Sequence, residues 1–133
     1  MNYRLFLIVL VVYLLVDAVW LRSTSGILYN PVIKSIQKSD IEMNLPGAIV
    51  AYLLLAVGVY YFVLEEKYQK NYKKLIFRAG LFGLLGYGIF NGTNNAILKN
   101  WNYNVSIIDT CWGITGSIIV SSISNYLNKK LVS

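Results

Sequence analysis

The chain has 133 residues, 56% hydrophobic and 14% charged, a balance far from that of water-soluble domains. One cysteine and no histidine exclude an intrachain disulfide, cysteine-cluster or imidazole metal sites, and every Ser-His or Cys-His catalytic arrangement. The net charge of +6 sits in the gaps between apolar blocks, which points to membrane topology and anionic headgroups and away from nucleic acid.

The first block, Leu5 to Leu21, carries one charge in 17 residues and predicts a membrane helix over about residues 4–22. It is longer than a signal-peptide core, and Asp17 and Trp20 are poor flanks for cleavage, so it reads as a retained span. The segment Ser23 to Leu45 follows. Within it Leu28, Val32, Ile33 and Ile36 recur near helical spacing, with Asn30-Pro31 suited to a helix start. It predicts a short amphipathic interfacial helix, either a plain connector or a lid. The second block, Pro46 to Leu64, has no charge in 19 residues and predicts a span over 46–65. A polar run from Glu65 to Lys74 separates it from a third span over 74–97, whose far end is the polar Asn91-Gly92-Thr93-Asn94-Asn95. The fourth, over 105–127, is rich in small and hydroxylated residues such as Gly113, Gly116, Ser117 and Ser121. The expected fold is all-α, an integral membrane four-helix bundle forming a single transmembrane domain over residues 1–133.

Four spans place both termini and the middle connection on one side of the bilayer. That side holds Arg4, Lys67, Lys70, Lys73, Lys74, Arg78, Lys129 and Lys130, against Arg22, Lys34, Lys38 and Lys99 on the other. The imbalance predicts cytoplasmic termini.

With that topology the polar residues of all four spans gather at one depth, toward the outer leaflet. Asp17 and Trp20 close the first helix, Asp109 and Trp112 open the fourth, and each acid stands three residues before its tryptophan. Helical spacing puts Tyr13, Asp17 and Trp20 on one face, Tyr87, Asn91, Asn94 and Asn95 on another, and Asp109, Trp112, Gly113 and Gly116 on a third. Tyr52 lies at matching depth on the second span. A lipid-facing carboxylate would cost roughly 2.5–3.5 kcal/mol even on the lenient insertion scale, so these faces should turn inward. The candidate ligand- or ion-binding set is therefore Tyr13, Asp17, Trp20, Tyr52, Asn91, Asn94, Asn95, Asp109 and Trp112. Two readings compete for it. The polar groups either bond neighbouring helices and fix their register, or line a pocket where two carboxylates share a proton or hold a cation. Trp101 reads as an interfacial ring, and Cys111 as a small packing residue.

The motifs Asp17-Ala18-Val19-Trp20-Leu21, Thr93-Asn94-Asn95-Ala96 with Trp101 beyond it, and Asp109-Thr110-Cys111-Trp112-Gly113 resemble those of domain-of-unknown-function family 2177. These are small bacterial membrane proteins. The resemblance implies four spans and a linked set of Asp17, Asn94, Asp109 and Trp112, and it supplies no activity. Asn91 departs from the pattern, since relatives carry an aspartate shortly before Thr-Asn. The functional expectation is an outward-facing intramembrane pocket that binds or transports a small polar solute, cation or proton, in a homo-oligomer within the lipid bilayer. The alternatives are an enzyme acting on a lipid or isoprenoid through paired aspartates, or a structural subunit. Against the enzyme, no arginine clamp for phosphate and no Asp-rich metal signature is present, so no cofactor or metal is expected.

Overall fold

An asparagine opens each of the four long helices. The computed structural model describes every residue from Met1 to Ser133. Its helices are α1 (Tyr3–Thr24), α2 (Asn30–Gln37), α3 (Leu45–Gly58), α4 (Glu66–Gln69), α5 (Tyr72–Ile97) and α6 (Tyr103–Val132). Two π turns, Ser25–Tyr29 and Val59–Val63, extend α1 and α3. The side chains of Asn2, Asn44, Asn71 and Asn102 accept from the backbone N–H of Leu5, Gly47, Lys74 and Val105 at 3.2, 2.9, 3.1 and 2.8 Å. Such caps satisfy a donor that the first turn would otherwise leave free, typically worth about 1 kcal/mol. They lie outside the apolar blocks, which is why all four helices begin earlier than hydropathy alone predicts. The second ends earlier, at Val63, because Arg78 from α5 donates to the carbonyl of Phe62 at 2.6 Å and pairs with Glu65 at 3.6 Å. A cation at a helix C-terminus both bonds the free carbonyls and opposes their partial negative charge.

The four long helices are apolar and long enough to cross a bilayer. Their outward residues are lipid-soluble: Leu7, Leu15, Val19, Leu54, Phe77, Leu85, Ile89 and Ile107 are all exposed. The interior divides in two. Near the end that carries the termini, Leu5, Val9, Val12, Val59, Val63, Leu75 and Ala79 form an apolar core. Along α6 the buried face is largely polar or small, running through Ser106, Asp109, Gly113, Ser117, Ser121, Ser124 and Asn128. Dispersion and hydrogen bonding hold membrane helices together, because lipid tails remove the hydrophobic drive between them.

Glycine sets the closest of these approaches. A Cβ placed on Gly83 of α5 would lie 2.0 Å from the carbonyl oxygen of Gly113 on α6, so the two backbones touch there. Gly80 and Gly86 share the small-residue spacing but not that contact, since Gly80 faces Ile118 at 3.4 Å and Gly86 faces open space.

The expected amphipathic helix is α2, and it lies on protein. Val32 packs with Trp101 and Val105, with Leu28, Ile33, Ile36 and Leu98 around them. The π turn at Ser25–Tyr29 is the kind of irregularity at which helices bend, and it joins α1 to this cover. Lys38, at φ 66°, ends α2 in the left-handed region. Asn30 then fastens the returning chain, donating to Asp40 at 2.9 Å and accepting from the backbone of Ile41 at 2.9 Å. Asn100 adds a bond to the carbonyl of Ser35 at 3.1 Å, tying the connection between α5 and α6 to the cover.

Candidate functional site

Asp17 and Asp109 lie at the end of the bundle covered by α2, each in the grip of donors from other elements. The hydroxyl of Tyr52 on α3 donates to one oxygen of Asp17 in a very short bond. The indole N–H of Trp112 on α6 donates to the other at 3.0 Å. Asp109 accepts from the hydroxyl of Tyr29 at 2.5 Å and from the amide of Asn91 on α5 at 2.7 Å. Asp109 is buried, only 6% exposed, whereas Asp17 is half-buried.

The acids do not bond each other; a pair of indoles connects them. Trp20 and Trp112 stack with centroids 4.4 Å apart and planes 1° from parallel. Trp112 reaches across to Asp17 on α1. Trp20 in turn donates at 2.9 Å to Tyr29, whose own hydroxyl proton goes to Asp109 on α6. Each helix's tryptophan therefore serves the other helix's acid, one directly and one through a tyrosine. Three-residue spacing makes this crossing workable. It puts acid and indole on one face, one turn apart, and α1 and α6 run in opposite directions, so the rings meet between the acids. Stacked aromatics contribute about 0.5–1.5 kcal/mol beyond their buried area.

A second layer surrounds this chain. Asn91, 2% exposed, also donates to the carbonyl of Tyr87 at 2.9 Å and accepts from the indole of Trp101 at 3.2 Å. Trp101 also donates to Ser106 at 3.0 Å, and Asn95 donates to the same hydroxyl at 2.6 Å. On the termini side of Asp17, the buried Tyr13 shares a hydrogen bond with Ser117 at 3.0 Å. The ring of Tyr87 covers Gly113, where a Cβ would lie 2.2 Å from its Cγ.

Seven of the nine residues singled out from sequence enter this network: Asp17, Trp20, Tyr52, Asn91, Asn95, Asp109 and Trp112, while Tyr13 bonds only Ser117 beside it. Asn94 bonds through its backbone carbonyl, to Leu98, and no side-chain bond joins it to the acids. Asn91 holds the place expected of it. The rotation of α5 against α6 accounts for the exchange, turning Asn91 and Asn95, one turn apart, toward α6 and leaving Asn94 offset. Trp101 is buried, 8% exposed, and its N–H is spent inside the protein. Cys111 is exposed on α6, off the buried face that carries Asp109 and Gly113. Tyr29 and Ser106 are the residues the sequence reading missed. Tyr29 could have been found as the one tyrosine of the segment Ser23 to Leu45, standing beside its apolar face.

No group of three or more metal-ligating side chains is present. The ion pairs lie elsewhere, between Lys34 and Asp40, Lys67 and Glu65, and Arg78 and Glu65. The two intramembrane acids are thus held by neutral donors alone.

The family described as "Predicted membrane protein (DUF2177)" matches residues 2–126, nearly the whole chain. No curated protein and no solved structure matches it.

Proposed function

The chain belongs to that family of predicted membrane proteins, and from the chemistry of its covered end we propose that Asp17 and Asp109 are linked binding sites for protons or small monovalent cations. The observation that carries this reading is the absence of a counter-charge. Both acids are held by tyrosine, tryptophan and asparagine, while none of the 12 lysines and arginines pairs with them. An ionised carboxylate at membrane depth is costly unless a cation or a proton balances it. Intramembrane acids mark ion and proton pathways for that reason.

The cover fits the same role. Tyr29 is the only residue between α1 and α3 that bonds Asp17 or Asp109, and it leaves with the cover if the π turn moves. Opening would free one oxygen of Asp109 and the N–H of Trp20 together. The excess of basic residues at the termini end supports a cytoplasmic position for that end, with the site near the opposite face. A homo-oligomer suits the broad lipid-facing surface of so small a bundle.

A second reading rests on a separate observation. A groove of about 440 Å³ between α1 and α3 is lined only by apolar or aromatic residues, among them Leu14, Leu21, Met43, Ile49 and Tyr52. An acyl or isoprenoid chain lying there would end beside the Tyr52–Asp17 bond, which suits a lipid ligand or a lipid-modifying reaction.

Asp17→Asn and Asp109→Asn, made separately, test the proposal in purified protein reconstituted in liposomes. The stacked tryptophans report on the site. Wild-type fluorescence should change with sodium, potassium or proton concentration, and both folded variants should lose that response. Unfolding of both variants, with a wild-type spectrum indifferent to every ion, would leave the network as a structural lock. A response to lipid composition in place of ions would favour the groove.

A further inference from the structure

The polar face of α6 continues past the site, and there its groups lack partners. Ser117, Ser121, Ser124 and Asn128 recur at spacings of four, three and four, so they share one side of the helix. Together they span roughly 16 Å of its axis at 1.5 Å per residue. All are buried, at 1%, 0%, 0% and 8% exposure, and the neighbouring Asn125 at 4%. Ser117 is bonded to Tyr13. The hydroxyls of Ser121 and Ser124 and the amide oxygens of Asn125 and Asn128 have no hydrogen-bond partner in the protein. Buried polar groups are rarely left so, and four along one helix face call for a common partner.

The stripe ends in a cleft. At the termini end a cavity of about 380 Å³ is lined by Asn2, Tyr60, Glu65, Glu66, Gln69 and Asn128, among others. Asn128 belongs to both, with its amide oxygen buried and its residue on the cleft wall. Beside it, Asn125 and Lys129 both donate to the carbonyl of Gln69, at 3.2 and 2.7 Å, which fixes α6 against the connection before α5.

We propose that this stripe is a water-binding site, a file of ordered waters that enters from the cleft at Asn128 and runs along α6 to Ser117. Water is the ligand the chemistry selects. It is small enough for a helix interface, and it both donates to the two amide oxygens and accepts from the two hydroxyls. A buried water typically makes two to four such bonds. The file ends at the Tyr13–Ser117 bond, and Tyr13 stands one helical turn before Asp17. If Asp17 binds a proton or cation, which rests on the reading above, the file is its connection to the termini side. The water site itself stands without that reading.

Thiol accessibility tests it. Cys111, the native thiol, is exposed and is first replaced by alanine. Ser121→Cys and Ser124→Cys are then treated in liposomes with aminoethyl methanethiosulfonate, beside Ile123→Cys, whose parent residue is lipid-facing at the same depth. The thiolate, which needs water to form, attacks the reagent's thio sulfur and displaces methanesulfinate, so both serine positions should react at least about ten-fold faster than position 123. Equal rates would overturn the proposal and mean that the hydroxyls turn back onto carbonyls of their own helix. Water-edited solid-state NMR of the wild-type protein reads the same positions with no substitution. Magnetisation should reach Ser121 and Ser124 nearly as fast as Asn128; transfer as slow as to Ile123 would overturn the proposal. Neither experiment depends on ion binding at Asp17, so a dry stripe and an inert acid pair are separate results.

Discussion

Tyr29 joins the two halves of the site, accepting from Trp20 and donating to Asp109 through one oxygen. Tyr29→Phe deletes that oxygen and leaves a carboxylate and an indole N–H short of a partner. The expected cost is about 1–3 kcal/mol, read from reversible unfolding in detergent or bicelles. Tyr126→Phe is the control, an exposed ring with no side-chain hydrogen bond, and should stay within about 0.5 kcal/mol of wild type. The indole pair makes a spectroscopic prediction. Rings stacked at 4.4 Å should give an exciton couplet in circular dichroism. Trp20→Phe or Trp112→Phe should each abolish it, and Trp101→Phe should leave it. A couplet that survives either of the first two would mean the rings are not stacked. The acids and their tryptophans were legible from sequence because helical spacing fixes which residues share a face. Their partners were not. Whether a hydrogen bond goes to Asn91 or Asn94 depends on how α5 is rotated against α6, and spacing within one helix leaves that open.

At the scale of the elements, one glycine pair sets that rotation. Gly83→Ala pushes a methyl group into the carbonyl of Gly113, where only backbone can yield. It should cost more than about 3 kcal/mol, beyond ordinary overpacking, and disturb the Trp112 environment. Gly86→Ala meets nothing and should gain up to about 1 kcal/mol from helix propensity. Similar stabilities for the two variants would contradict the close approach of α5 and α6. The cover makes a pH-dependent prediction. Hydrogen bonds from Asn30 and then from Lys34, with the Lys34 charge, hold the Asp40 carboxyl below its ordinary value of 3.8. The folded form therefore binds this proton less readily than the unfolded one. Its contribution is fully present above the ordinary value and is lost as pH falls through the lowered one. Protection of the Ile41 amide, which donates to Asn30, taken against its intrinsic exchange rate at each pH, should fall in that acid range and stay unchanged from neutral pH down to it. Asp40→Asn should remove the dependence. Four long helices and an amphipathic one were readable from apolar blocks and spacing. The four asparagine caps were not, since asparagine outside an apolar block has many uses and only the folded turn shows which N–H it serves.

For the molecule as a whole, the two ends of the bundle differ in charge and in content. The termini end carries eight of the 12 basic residues and the cleft; the other carries the covered acids. A fluorescent-protein fusion at the C-terminus should be bright, and an alkaline phosphatase fusion there inactive, if that end is cytoplasmic. The opposite pattern would invert the direction assigned to the site. A polar interior within an apolar exterior was foreseeable from the small and hydroxylated residues of the fourth span. The unpartnered stretch toward Asn128 was not, because it takes the packed bundle to decide which hydroxyls lack a neighbour. The central claim is that Asp17 and Asp109 are linked sites that bind protons or monovalent cations. Carbon-13 carboxyl spectra of aspartate-labelled protein in bilayers test it most directly, since the chain has only three aspartates and Asp40 is an exposed reference. Titration with protons and with sodium or potassium should shift the Asp17 and Asp109 signals together, and Asp17→Asn should change how Asp109 responds. Signals of both residues that stay fixed under every ion and pH, while Asp40 alone titrates, would contradict it.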